Sequence, residues 1–172
     1  MMMFLSADAI MTLTFFAVFA YLRFTAPYWP SVFHFGSDLL AASMTMFLLA
    51  GSFTILMAVR AGDEARSRWI VLTVALWLCF ILLESMEWVR LIALDGVTLR
   101  ANPYGVPVFG ATYYLLTGLH GLHVLAGIVY LTVLAARSRE ARAAQWYVHF
   151  VNLSWLPIFF FLYLGSADLQ GL

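Results

Sequence analysis

Charge is scarce in this sequence: Asp, Glu, Lys and Arg make up 10% of 172 residues, against roughly a quarter in an ordinary soluble domain. Lysine is absent altogether, so the nine basic residues are all Arg, and nine acids bring the formal net charge to zero. No basic surface remains to attract nucleic acid. The one cysteine, Cys79, lies inside an apolar run, which excludes a disulfide framework and a multi-thiolate metal centre. A Gly-rich phosphate loop is missing from the polar connections, and so are the short alternating segments of an outer-membrane barrel. What fills the chain instead is hydrophobic, at 64% of residues with 17% aromatic and a mean hydropathy of +0.92.

A helical span needs about 20 apolar residues, and a connection roughly 12 more, so this length divides into about five spans with no room for a soluble domain. The apolar runs place them at about 2–22, 39–59, 69–89, 108–136 and 145–165. The expectation is an all-α, polytopic bundle of five transmembrane helices, a single domain over residues 1–172. The fourth run is longer than one bilayer requires, an excess that tilt absorbs. The N-terminal run reads as a retained span, because it lacks a basic leader and a small-residue cleavage pattern and is interrupted by Asp8. Arg60, Arg66, Arg68, Arg137, Arg139 and Arg142 lie in the two loops of one side, and Arg23, Arg90 and Arg100 on the other. The positive-inside rule therefore puts the N-terminus in the cytoplasm and the C-terminus outside. Trp29, Trp69, Trp88 and Trp146 fall at or near span ends, as an interfacial belt would.

Function in such a chain is sought among the few polar groups inside the bilayer, each of which costs on the order of 3 kcal/mol at mid-membrane unless paired. They are Asp8, Glu84, Glu87, His120, His123, His149 and Asn152. Glu84 and Glu87 share one helix face, as do His120 and His123. Counting about 1.5 Å of rise per residue from the span ends separates these two pairs by about 10 Å in depth, which argues against a common metal site. The Glu-x-x-His spacing of di-iron bundles is missing as well. A bis-His haem meets the same difficulty, with His149 only about 6 Å and His123 about 19 Å from the inner side. Asp8 lies about 8 Å inside the cytoplasmic end of span one, nearest in depth to His149. His120 and His123 reach it only if the helices are offset. Alternatively Asp8 snorkels to cytoplasmic water.

Small residues concentrate in span four, where Gly110, Gly118, Gly121 and Gly127 allow neighbouring helices or lipid chains to approach closely. Within that span, the run Gly118 to Gly127 (GLHGLHVLAG) and the preceding GATYYLLT closely resemble the fifth helix of subunit III of the haem-copper oxidases. Three more segments match in the family's order: Phe4 to Phe16, with the intramembrane acid; Leu82 to Leu91, with a Glu followed by an aromatic; and Gln145 to Gly165, similar to the last helix. Departures accompany the matches. Asp8 stands where many members have Glu, Glu84 where Gln is frequent, Val148 where Trp and Asn152 where Asp are common, and Pro157 interrupts the last helix.

The resemblance is to the five-helix bacterial form, and it implies a subunit without haem or copper of its own, those cofactors being held by partner subunits. It further implies docking on catalytic subunit I and on subunit II, structural phospholipid in a cleft near Gly118, Gly121, Gly127 and Trp155, support of proton uptake, and residence in the bacterial plasma membrane. The electron donor, cytochrome c or quinol, stays open. An accessory subunit of nitric oxide reductase shares these helices and is the alternative within the same class. A self-contained membrane haem or transport protein is the alternative from another.

Overall fold

The computed structural model describes residues 2–27, 29–30, 35–137 and 141–163. They form five helices, α1 (Met2–Thr25), α2 (Phe35–Arg60), α3 (Asp63–Ala93), α4 (Val108–Ala136) and α5 (Arg142–Ile158), the last continued by a π-helical turn at Phe159–Tyr163. All five are long and apolar enough to cross a membrane, counting α5 with its π turn. Four of them continue past the apolar runs, because polar residues at helix ends form helix as readily as apolar ones. At the start of α3, Asp63 and Glu64 face the positive end of the helix dipole. They also pair with Arg66 at 2.7 Å and Arg68 at 3.0 Å, one turn on. Positions 164–165 of the expected fifth span, and Arg139 in the loop before it, lie outside the described residues.

Helices α2, α3, α4 and α5 close a ring, each against two neighbours, and α1 lies outside it against α4 and α5. Large aromatic side chains fill the interior, with Trp77, Phe80, Tyr113 and Trp155 fully buried. Indole N–H groups need partners when buried, and here the helices supply them. Trp155 Nε1 donates to Thr45 Oγ1 at 2.9 Å, and Trp77 Nε1 to Asn152 Oδ1 at 3.2 Å. Asn152 in turn donates through Nδ2 to Leu48 O and Ser52 Oγ, both at 2.7 Å, tying α5 to α2 and α3.

The glycines of α4 make room for this interior. A Cβ at Gly127 would run into the Trp77 ring and approach Tyr147 to 2.8 Å, and one at Gly118 would stand 3.1 Å from Trp88. In α5, Pro157 has no N–H to donate to the preceding turn, and the π turn that follows brings Leu162 and Tyr163 into the core. The Arg23 guanidinium of α1 donates to the Phe161 carbonyl within that turn. Outward, by contrast, Leu13, Leu82, Leu122, Val129 and Leu153 are exposed, a surface suited to lipid chains that are as apolar as leucine.

Candidate functional site

Asp8 is buried, at 6% exposure, where α1 meets α4. Its Oδ1 lies 2.9 Å from His123 Nε2, and His123 Nδ1 lies 2.7 Å from the Leu119 carbonyl. A carbonyl can only accept, so Nδ1 carries a hydrogen. The proton between Nε2 and Oδ1 then resides on one or the other, giving an ion pair or a neutral pair. Either way the net charge is zero, which is how a bilayer interior tolerates two ionisable groups.

His120, one turn before His123, faces elsewhere. Its Nε2 meets the Val151 carbonyl of α5 at 3.1 Å, and its ring packs against Phe80 and Trp155 at centroid distances of 5.2 and 5.1 Å. The other nitrogen, Nδ1, and Asp8 Oδ2 have no hydrogen-bond partner among the described residues. A cavity of about 20 Å³, lined by Asp8, Thr12, Phe16, His120, His123 and Ser154, joins these groups. That is room for one water molecule. Depth counting favours His149 as the partner of Asp8, but the structure supplies His123. His149 instead lies 3.3 Å from Gln145 of its own helix. Thr12 escapes a search confined to charged residues, His and Asn, although it stands one turn from Asp8 on the same face.

Glu84 and Glu87 belong to the buried face of α3. The 10 Å depth offset expected between Glu84 and the α4 histidines is not observed: a Cβ at Gly121 would stand 2.7 Å from Glu84 Oε2, so the carboxylate lies beside the residue following His120. Extension of α3 by four residues, to Ala93, accounts for about 6 Å of the difference. Being level does not make these groups converge. His120 turns to α5, His123 to α1, and Glu84 to the seam between α3 and α4. Among the described residues no three His, Cys, Asp or Glu side chains group closely enough to hold a metal ion. Glu87 pairs with Arg90 at 3.2 Å, and Arg90 also lies 3.7 Å from Asp95. Asn152 and Trp155 are interior hydrogen-bonding groups, as described above. A groove of about 480 Å³ follows the α3–α4 seam, lined by Ile81, Glu84, Trp88, Gly118, Gly121 and Leu122 among others.

No protein-family model matches the chain. Curated proteins do. The chain is 31% identical to "Cytochrome c oxidase subunit 3" of Alkalihalophilus pseudofirmus over 179 aligned positions, covering 94% of this chain and 82% of that one. It is 28% identical to "Cytochrome c oxidase subunit 3" of Synechocystis over 94% of this chain and 72% of the relative. Against "Probable cytochrome c oxidase subunit 3" of Mycobacterium leprae the identity is 31% over 72% of this chain, which there spans 65% of the relative's length.

Proposed function

The chain belongs to the cytochrome c oxidase subunit 3 family, and from that membership we propose that it is the non-redox third subunit of a haem-copper terminal oxidase in aerobic respiratory electron transport. The observation that carries this reading is the likeness to the Alkalihalophilus protein along 94% of this chain and 82% of that one. In this reading haem and copper reside in partner subunits, subunit I and subunit II, on which the five-helix bundle docks. It lies in the bacterial plasma membrane with its N-terminus cytoplasmic, binds phospholipid between helices, and sustains proton uptake by the catalytic subunit.

The Asp8–His123 pair supports the protonic part of the reading. One proton shared between a carboxylate and an imidazole moves without changing the net charge buried in the bilayer, and the adjoining cavity gives a water molecule access to both Asp8 and His120. Gentle solubilisation of the membrane complex, followed by identification of the copurifying chains and their haem, tests the assignment. The expected result is copurification with an oxidase catalytic subunit that carries all the haem. Copurification with a nitric oxide reductase, or stoichiometric haem in the separated chain, overturns it.

A further inference from the structure

The interior stripe of α3 runs Thr73, Trp77, Phe80, Glu84, Glu87 and Leu91, so two carboxylates occupy positions where helical periodicity calls for apolar side chains. Around them gathers an unusual share of unbonded polar atoms. Seven buried side-chain polar atoms have no hydrogen-bond partner among the described residues. Five of these, Ser37 Oγ, Glu84 Oε1, Glu87 Oε2, Arg90 Nε and Asp95 Oδ2, belong to this one region; Asp95 Oδ2 has only an ion-pair contact, 3.7 Å from Arg90, and Ser37 lies against the Glu87 carboxylate.

The region is a column with two ends. Tyr113 of α4 and Tyr163 of the π turn bring their hydroxyls to 3.3 Å from each other, and both tyrosines lie within electrostatic range of Glu84 and of Glu87. Ser37, near the start of α2, faces Glu87. At the end towards the α3–α4 connection, Arg90 and Asp95 are 27% and 22% exposed. At the other end Glu84, 7% exposed, lines the apolar groove of the α3–α4 seam. His120 of α4 does not join the column, being turned to α5.

Buried polar groups in native proteins are bonded to protein or to ordered water. Glu84 Oε1 and Arg90 Nε, an acceptor and a donor with no hydrogen-bond partner among the described residues, stand beside incompletely bonded Glu87 and Asp95; together they call for a small ligand that can donate and accept, and water has that chemistry. We infer that this column is a hydrated proton path, taking water and hydronium from the aqueous phase beside the α3–α4 connection and exchanging protons between that phase and Glu84.

At the entrance two carboxylates face one guanidinium, a balance that attracts hydronium. Hydronium gives its proton to the first water of the column and leaves as water. Each water or tyrosine hydroxyl accepts a proton from behind and donates its own forward, and the last proton bonds to a Glu84 carboxylate oxygen. Release runs the same steps in reverse, with no redox change. The inference stands whether or not the chain serves an oxidase.

Infrared spectroscopy of the full-length chain in lipid vesicles tests it. A protonated-carboxyl band is expected in the wild type, absent from Glu84→Gln and shifted on transfer to D2O. Tyr113→Phe/Tyr163→Phe keeps both rings and removes the hydroxyls, and should slow that shift by roughly tenfold or more. Leu153→Val, on the exposed outer face of α5, should leave it at the wild-type rate. If circular dichroism shows that the double variant loses helix, Tyr163→Phe alone is measured and should be slowed as well. In sealed vesicles sorted for one orientation, the band should follow the pH on the side where a cysteine at Arg100→Cys is labelled, in a Cys79→Ala background. Absence of a Glu84-dependent band, unchanged exchange without the hydroxyls, or a response to pH on the opposite side overturns the inference.

Discussion

Replacing Asn152 by Leu removes the group that joins three helices. Its amide makes three interhelical bonds, accepting from Trp77 and donating to Leu48 and Ser52. At about 0.6 kcal/mol for an average side-chain hydrogen bond within a membrane, their loss costs about 2 kcal/mol. Leucine also leaves the Trp77 indole N–H buried without an acceptor, an added penalty of about 1–3 kcal/mol. A total of about 3–5 kcal/mol is expected. Titration of the subunit in detergent micelles with a denaturing detergent, followed by circular dichroism, reads the change. A double-mutant cycle with Trp77→Phe separates the terms, because in the doubly substituted chain no indole remains unsatisfied and the penalty attached to it disappears. Asn152→Asp adds a second arm. It retains an acceptor for Trp77 but places carboxylate oxygen against the Leu48 carbonyl, so it should destabilise unless it carries a proton, and less so at acid pH. A change below about 0.5 kcal/mol for Asn152→Leu, or no coupling to Trp77, refutes the reasoning.

Gly127→Leu drives a side chain into the rings of Trp77 and Tyr147 and should cost about 1–3 kcal/mol or more by overpacking, measured in the same titration; Gly118→Ala, facing the far edge of Trp88, should cost less. Asp8→Ala leaves His123 Nε2 without its partner and is expected to weaken association of the subunit and to shorten the number of turnovers before inactivation, with initial oxidase rates barely changed. Equal turnover lifetimes in complexes that retain the subunit and its lipid would remove that role. Cysteines introduced at Arg100 and Arg139 should react with an impermeant reagent from outside and from inside, respectively, and the reverse pattern would invert the proposed topology.

The apolar runs made the five helices legible because the bilayer demands length and apolarity and little else of a span. Helix rotation and vertical offset carry no such signature. His120 and His123 share a face by spacing, yet one meets a carbonyl of α5 and the other an acid of α1. The angle between two side chains three apart is enough to address two different neighbours when those neighbours flank the helix. Asp8 was readable as an intramembrane acid, while its partner was not, because counting rises assumes that all spans start in one plane. Glu84 shows the same failure in depth, its helix running on past Arg90 to Ala93 where the expected span stops at position 89. Trp77 has no polarity signal in sequence. Only the bundle reveals that Asn152, Gly51 and Gly127 are arranged around its ring.

The placement of α1 outside the ring, against α4 and α5, also bears on how the protein is made. Its buried acid waits for a histidine that follows 115 residues later, at position 123 against position 8. At about 5–20 residues per second of synthesis, Asp8 is translated about 6–23 seconds before His123, and longer before the Phe161 carbonyl that receives Arg23 exists. Of the five helices described, α1 is therefore translated earliest and yet is among the last to complete its contacts. During that interval its acid must stay near the aqueous boundary or be held by the insertion machinery, and α1 completes its contacts only when α5 and its π turn supply the Phe161 carbonyl.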